Sequence, residues 1–248
     1  MHLIDANCAI AGARPGCAET TSVDELIEEK DRVGVDRALL RINPTRLEFD
    51  VPALNRRLFV MGEAYRSVIP CPVVLPGGVG EVPGEEESVA RCIEGGAGAV
   101  CLRPGLDGWS PEPWGCGDLL SELEARRMPV FCRLDQLDLR TLAEVAEQHP
   151  DLPVILAGVG YRRQRVVVPF LQSFSNSYLV VGGDYCVFRG LEACVAAVGP
   201  ERLLFGTGYD EREMMGAVGY LMYADISRKE RTLVGAGNLT RLMGGIQR

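Results

Sequence analysis

The stretch that decides the fold is Arg202-Leu203-Leu204-Phe205-Gly206-Thr207-Gly208-Tyr209-Asp210, near the end of the 248-residue chain. A short apolar run that stops at a glycine-rich turn, with polar residues just beyond, is typical of a buried parallel strand whose carboxyl end opens onto a site. We therefore predict that this run is the last strand of a closed barrel.

Short apolar runs alternate with amphipathic segments through the rest of the chain. The runs predict seven earlier strands, at His2–Ala6, Asp36–Ile42, Val68–Leu75, Gly98–Arg103, Pro129–Arg133, Pro153–Gly158 and Tyr178–Gly183. Pro70 and Pro72 indicate a bulged or edge-like third strand. Eight strand-then-helix units in a chain of this size predict an α/β (β/α)8 TIM barrel that forms a single domain over residues 1–248. A doubly wound open sheet is the alternative.

The connecting segments carry recognisable helix signals. Ser22-Val23-Asp24-Glu25 fits a capping box, and Gly34 ends the helix that follows it. The loop before this helix contains Gly12, Pro15 and Gly16, and the second strand is expected to stop at Asn43-Pro44. Further helices are predicted at Ala53–Arg66, from Glu85 to Gly95, and at Asp118–Arg127, Asp138–His149, Arg163–Ser173 and Gly190–Val198.

Composition narrows the class of protein. The formal net charge is −8, which argues against nucleic acid or an anionic membrane as the main partner, because both require clustered Lys and Arg. We find no apolar run near the length of a membrane span and no secretion signal, so we expect a cytoplasmic protein. Whether copies of the chain form a homo-oligomer is left open by the sequence.

Cysteine and histidine usage argues against the common metal sites. The nine cysteines are scattered without a Cys-x-x-Cys pair, which predicts reduced thiols that serve as small core residues. His2 and His149 are too few and too far apart for a histidine-based metal centre. Trp109 and Trp114 lie in a proline-rich loop after the fourth strand, where they could cover a substrate or pack against a partner.

Four motifs in this order resemble the amidohydrolase-related metal-dependent hydrolases. They are Leu3-Ile-Asp-Ala-Asn-Cys-Ala-Ile-Ala-Gly12, Pro153-Val-Ile-Leu-Ala-Gly-Val-Gly160, Arg202-Leu-Leu-Phe-Gly-Thr-Gly-Tyr209 and Gly237-Asn-Leu-Thr-Arg-Leu-Met243. Together with the strand order, the resemblance spans nearly the whole chain. It implies a TIM barrel with a divalent metal at the carboxyl ends of its strands.

The residues that the resemblance assigns to the metal depart from the family pattern. Of the expected Asp-x-His-x-His, Asp5 is kept, and the two histidines are Asn7 and Ala9. The expected histidines at the ends of strands five and six correspond to Arg133 and Gly158, and the expected aspartate after strand eight corresponds to Gly208. Alanine and glycine offer no ligand atom, and arginine repels a cation, so we expect no metal centre and no other cofactor.

Polar side chains nevertheless gather where the predicted strands end. We expect a small anionic molecule to be bound there by six residues: Asn7, Arg41, Arg103, Arg133, Tyr185 and Tyr209. Asp5, Asp184 and Asp210 are the candidate general acids or bases, and alternation predicts that Asp5 and Asn7 share a face of the first strand. The competing interpretation is structural, since arginines at strand ends often pair with nearby carboxylates and only brace loops.

Three functions remain open from the sequence. The first is a divergent hydrolase or lyase that works without metal on a small anionic substrate. The second is a pseudoenzyme that binds a small ligand or a protein partner without turnover. The third is a hydrolase with an atypical divalent metal held by Asp5, Asp184 and Asp210, whose oxygen atoms suit magnesium or calcium.

Overall fold

A computed structural model describes residues 1–10, 21–43 and 50–248, and its parallel strands form the predicted (β/α)8 barrel. The predicted loop residues Gly12, Pro15 and Gly16 and the proline of Asn43-Pro44 lie outside the described residues. The strands are β1 Ile4–Ile10, β2 Arg37–Ile42, β3 Val68–Pro70, β4 Val100–Leu102, β5 Val130–Arg133, β6 Val154–Ala157, β7 Ser177–Gly182 and β8 Leu203–Gly206.

The strands follow one another in chain order around the barrel. Strands β1 to β3 form one parallel ladder, and β4 to β8 form another. Two isolated parallel bridges connect the ladders, Cys8 with Tyr209 and Val73 with Cys101. Backbone hydrogen bonds support both seams: Gly208 donates to the Asn7 carbonyl at 2.9 Å, and Cys101 donates to the Pro72 carbonyl at 2.7 Å. The sheet is therefore closed, and the open-sheet alternative is wrong.

Most strands differ from the predicted bounds by one or two residues, and β1 and β3 differ most, at their carboxyl ends. The ladder of β3 ends at Pro70, because prolines at 70 and 72 cannot donate to a neighbouring strand. The Asn55 side chain replaces the missing partner of Val73, accepting from its N–H at 3.0 Å and donating to its carbonyl at 2.7 Å. Strand β1 continues to Ile10, whose carbonyl accepts from the N–H of Asn43 at 3.0 Å.

The helices surround this barrel, and the predicted capping box is confirmed. The Ser22 hydroxyl accepts from the Glu25 N–H at 3.2 Å, and Gly34 ends the helix with a φ of 76°. The helices are α1 Val23–Val33, α2 Val51–Ala64, α3 Glu85–Glu94, α4 Pro104–Asp107, α5 Pro113–Cys116, α6 Leu119–Ala125, α7 Leu139–Gln148, α8 Gln164–Ser173, α9 Gly190–Val198, α10 Met214–Met222, α11 Arg228–Thr232 and α12 Asn238–Gly244. Every helix in the described ranges is too short or too polar to cross a bilayer.

The core has two parts, one inside the barrel and one between strands and helices. Helix α12 covers the amino-terminal end of the barrel, where the Met243 sulfur would lie only 2.7 Å from a Cβ placed on Gly98. Seven of the described cysteines are buried and all are free thiols, as predicted; Cys17 lies outside the described residues. With one end covered, the polar residues at the carboxyl ends of the strands define the candidate site.

Candidate functional site

Asn7 lies at the centre of the polar group at the barrel mouth. It is 1% exposed, and its Oδ1 accepts a hydrogen bond from Nη2 of Arg41 at 2.6 Å. Its Nδ2 donates to Oδ2 of Asp184 at 3.4 Å. Because arginine can only donate and a carboxylate can only accept, these two partners fix the orientation of the amide. Asn7 thus joins the end of β2 to the end of β7.

Arg41 is a buried cation at this centre. The residue is 5% exposed, and its guanidinium carbon lies 4.2 Å from the centre of the Phe131 ring. Its Nε is buried and has no hydrogen-bond partner. In the described part of the chain, Arg41 forms no ion pair, and its side-chain hydrogen bond is to a neutral amide. A buried charge is costly unless it is paired, so this guanidinium has unused capacity for an anion.

Arg103 is also buried, but it has a counter-ion. Its Nε and Nη2 donate to the two carboxylate oxygens of Asp107 at 3.0 and 2.8 Å. Asp107 ends the short helix α4 that begins directly after Arg103, so the pair braces the loop above β4. The Nη1 group of Arg103 is buried and unpartnered. This arginine therefore combines the predicted structural role with a free donor.

Arg133 lies closer to solvent. Its side chain is 19% exposed and approaches the carboxylates of Asp135 and Glu211, each at 3.3 Å. All three arginines converge near the thiol of Cys101. Burial raises the pKa of Cys101, whereas Arg41, Arg103 and Arg133 act on that thiol in the opposite direction. The structure therefore brings the three predicted arginines to one mouth.

Asp5 is occupied by hydrogen bonds within the barrel wall. Its Oδ1 accepts from the N–H groups of Asn7 at 2.8 Å and Thr207 at 2.9 Å, and its Oδ2 accepts from the Thr207 hydroxyl. The residue is fully buried. Burial raises the pKa of Asp5, although these hydrogen bonds and Arg41 act to lower it. Asp5 therefore connects β1 to the turn after β8.

The prediction that Asp5 and Asn7 share one strand face is wrong. Ile4 and Ala6 pack inside the barrel, which places Asp5 on the other side of the strand. The pairing register shifts between Asp5 and Cys8, and this irregularity brings Asn7 to Arg41.

The structure brings Asp184 to the group but places Tyr185 elsewhere. The Asp184 side chain is 12% exposed and lies 3.5 Å from Nε of Arg212. Tyr185 is fully buried in the layer between strands and helices, with its hydroxyl 3.2 Å from the Cys194 sulfur. Tyr209 is partly buried and packs against the same layer. Asp210 is 4% exposed and accepts from the Thr21 hydroxyl at 3.3 Å.

Sequence reasoning missed Phe131 and Arg212. Phe131 could have been found, because it precedes Arg133 by two residues on the same face of β5. Arg212 lies in a turn beyond β8, where no periodic pattern indicates the direction of a side chain.

Arginines lie beside two glycines that stand where the family pattern expects metal ligands. A Cβ on Gly158 would lie 3.7 Å from Nε of Arg133, and a Cβ on Gly208 would lie 3.0 Å from Cγ of Arg212. In residues 1–10, 21–43 and 50–248, no group of three or more His, Cys, Asp or Glu side chains could hold a metal ion.

Comparisons with solved structures support the TIM-barrel fold. An uncharacterised TIM-barrel protein from Bordetella bronchiseptica aligns with a TM-score of 0.73 and 16% identity over 100% of both chains. A dihydroxybenzoic acid decarboxylase from Polaromonas, with bound manganese and 2-nitroresorcinol, gives 0.71 and 13% over 98% of this chain and 97% of its own. The 5-carboxyvanillate decarboxylase of Sphingomonas paucimobilis gives 0.68 and 14% over 98% and 99%.

Sequence comparison identifies the family. No curated protein sequence matches the chain. The amidohydrolase family model, however, matches residues 49–238, which run from just before α2 to the start of α12 and include six of the eight strands, β3 to β8. Since this match covers most of the chain and agrees with the TIM-barrel fold, the protein belongs to the amidohydrolase family.

Proposed function

We propose that this barrel binds a small carboxylate at its mouth without a metal ion and acts on it as a hydrolase or lyase. The observation that carries the proposal is Arg41. Its guanidinium is buried, one of its N–H groups has no partner, and its hydrogen-bonded neighbour is neutral. A planar guanidinium suits the two oxygens of a carboxylate, and such bonds are strong when water is excluded.

A purely structural role explains Arg41 less well than it explains the other arginines. Arg103 and Arg133 have carboxylate partners that brace neighbouring loops. Arg41 acts electrostatically on Asp5, but the oxygens of Asp5 already accept hydrogen bonds from Asn7 and Thr207. The family relatives named above as decarboxylases act on small aromatic acids, which agrees with an anionic ligand.

The residues at the mouth do not fit the family's metal. The Oδ1 of Asn7 accepts from Arg41, and the guanidinium of Arg133 lies beside Gly158. Asp5, Asp184 and Asp210 form no metal-holding group in the described part of the chain. A divalent cation would face arginines at this place and would lack ligand atoms. We therefore assign the positive charge of the site to arginine.

Asp184 is the group that we propose for proton transfer. It follows β7 at the mouth, and its oxygens lie near the side-chain N–H groups of Asn7 and Arg212, which orient the carboxylate. A ligand bound by the arginines would therefore lie close to this carboxylate. Asp5 would serve the site indirectly, by fixing Asn7. Asp210 stays a weaker candidate beside Thr21. We leave Tyr185 out of the proposal because its hydroxyl lies against Cys194.

The first test measures metal and ligand binding together. Protein purified without chelators is analysed for metal, and calorimetry then measures the binding of benzoate, 2,6-dihydroxybenzoate and phosphate. We expect no stoichiometric metal and carboxylate binding that falls at least about tenfold in Arg41→Met, since a charge-assisted contact contributes about 1.5–3 kcal/mol. Arg66→Met is the matched control, because Arg66 is exposed beyond the opposite end of β3. Stoichiometric metal, or equal binding by Arg41→Met, would refute the proposal.

Turnover separates an enzyme from a pseudoenzyme. Any ligand that binds is incubated with the metal-free protein and with Asp184→Asn, and the product is followed by liquid chromatography. We expect wild-type turnover and its loss in Asp184→Asn with the ligand still bound. Binding without turnover would support the alternative function, a pseudoenzyme, which is favoured by the replacement of residues at the positions where the family pattern expects metal ligands.

A further inference from the structure

Three exposed arginines follow the sixth strand, and we call them the rim arginines: Arg162, Arg163 and Arg165. Arg162 and Arg163 lie in the single turn Tyr161–Arg163, and Arg165 lies in the first turn of α8. In the described residues none of the three forms an ion pair with a carboxylate. The only side-chain partner of Arg162 there is the hydroxyl of neighbouring Tyr161, at 2.9 Å.

This placement is electrostatically unfavourable for the helix. The amino-terminal end of a helix carries partial positive charge, so acidic residues are favoured there and cations are disfavoured. Helices α1 and α3 follow the rule with Asp24 and Glu25 and with Glu85 to Glu87, whereas the first turn of α8 has no acidic residue. The rim arginines therefore do not contribute to the stability of α8 through charge.

The rim arginines belong to the mouth. They follow β6, whose carboxyl end at Ala157 accepts a hydrogen bond from the N–H of Leu134, next to Arg133. The turn begins three residues after Gly158, over which Arg133 lies. An anion that approaches Arg133 from solvent would therefore pass close to this turn.

Apart from the buried Arg41, the arginines in the described part of the mouth supply little excess positive charge. Arg103, Arg133 and Arg212 are matched by nearby carboxylates: Asp107, Asp135, Glu211 and Asp184. The whole chain carries a formal charge of −8, which repels an anion at long range. The rim arginines, which have no carboxylate partner in the described residues, add positive charge beyond the end of β6.

We propose that the rim arginines form an electrostatic entry surface that draws anionic ligands, above all those with two negative groups, into the barrel mouth. The inference rests on the proposed function and adds a kinetic role to it. An exposed charge acts on encounter more than on the bound complex, so the rim should control the association rate. Arg41 should control the dissociation rate, because it is buried at the binding centre.

The test measures association rates by stopped-flow fluorescence with two probes, monoanionic 2,6-dihydroxybenzoate and dianionic 5-carboxyvanillate. The variant is Arg162→Gln with Arg163→Gln. The control is Arg66→Gln with Arg248→Gln, which changes the net charge equally; Arg248 follows Gln247, which binds Arg126 at the end of α6. We expect the association rate of the rim variant to fall about three- to tenfold at about 20 mM salt, more for the dianion. At 0.5 M salt, where the Debye length is about 4 Å and exposed charges are screened, the association rates of the rim variant and wild type should differ by less than about twofold.

The outcomes separate the two proposals. Equal rates in the rim and control variants, or a change confined to the dissociation rate, would overturn the entry surface and leave carboxylate binding intact. If wild-type protein binds neither probe, both proposals fall. Thermal unfolding checks that the rim variant is folded, and we expect no loss of stability because the removed cations oppose the helix dipole.

Discussion

Replacing Asp5 tests whether the seam between β1 and β8 depends on one carboxylate. In Asp5→Ala, the N–H groups of Asn7 and Thr207 and the Thr207 hydroxyl all lose their acceptor. The side chain is fully buried, so solvent cannot easily replace it. In Asp5→Asn, the amide oxygen can still accept from both N–H groups, and the amide nitrogen can donate to the hydroxyl.

The geometry gives the size of the effect. Each buried donor left without an acceptor costs about 1–3 kcal/mol, so the three donors together should lower the free energy of unfolding of Asp5→Ala by about 3–9 kcal/mol. This loss is a large fraction of the free energy of unfolding of a typical domain, which is roughly 5–15 kcal/mol. Asp5→Asn should stay within about 1 kcal/mol of wild type near pH 5, because the hydrogen bonds are replaced and no charge is buried.

The pH dependence follows from the direction of the shift. Burial raises the pKa of Asp5 above the ordinary value of 3.8, so the folded protein holds the proton more tightly than the unfolded chain does. The associated stability is present below 3.8 and is lost as the pH rises through the folded-state pKa. Asp5→Asn has no such loss, so its stability relative to wild type should increase between pH 4 and pH 8.

Urea unfolding followed by circular dichroism at several pH values measures all three proteins. The reasoning would be refuted if Asp5→Ala were as stable as wild type, or if Asp5→Asn were as damaging as Asp5→Ala. A stability of Asp5→Asn that fell relative to wild type with rising pH would show that the carboxylate is stabilised in the fold as an anion, contrary to the raised pKa.

Three further predictions concern single contacts. Arg103→Met should lower the free energy of unfolding in urea by about 3–5 kcal/mol, because it leaves the buried Asp107 carboxylate without a counter-ion. The double variant Arg103→Met with Asp107→Leu should recover most of this stability, and a double variant as unstable as the single one would contradict the proposed ion pair. Asn238→Ala should lower the free energy of unfolding by about 2 kcal/mol, because the Asn238 amide donates to the carbonyls of Pro200 at 2.7 Å and Leu203 at 2.8 Å. An unchanged melting temperature would contradict this prediction. Gly158→His should bind no stoichiometric zinc by elemental analysis, because the Arg133 guanidinium lies beside the new side chain; restored zinc would contradict our account.

The fold was predictable because its signals are local. Apolar runs bounded by glycine and proline identified every strand, and the capping box placed the start of α1 at the residue observed. Errors occurred where tertiary contacts decide the ends of strands. Ile10 stays in β1 because Asn43 donates to it, and such a distant partner cannot be read from the neighbouring residues.

The site was predictable in position but only partly in the direction of its side chains. Arg41, Arg103 and Arg133 reach the mouth because strand alternation places them on the inner face with Leu39, Cys101 and Phe131. Tyr185 follows a strand in the same way, yet it turns into the helix layer, where its ring is buried against α9. Beyond the last residue of a strand, alternation no longer fixes the face, so residues of the turns could not be assigned.

Three of the five positions at which the chain departs from the family's metal-ligand pattern lie next to an arginine. Asn7 binds Arg41, Gly158 lies beneath Arg133, and Gly208 lies against Arg212. Random loss of ligands would leave holes or unpaired acceptors, and it would not be expected to place a guanidinium beside three of them. The pattern agrees with a site whose fixed positive charge is carried by side chains. It also means that restoring one ligand would leave arginines in the coordination space, so a metal site would require several changes made together.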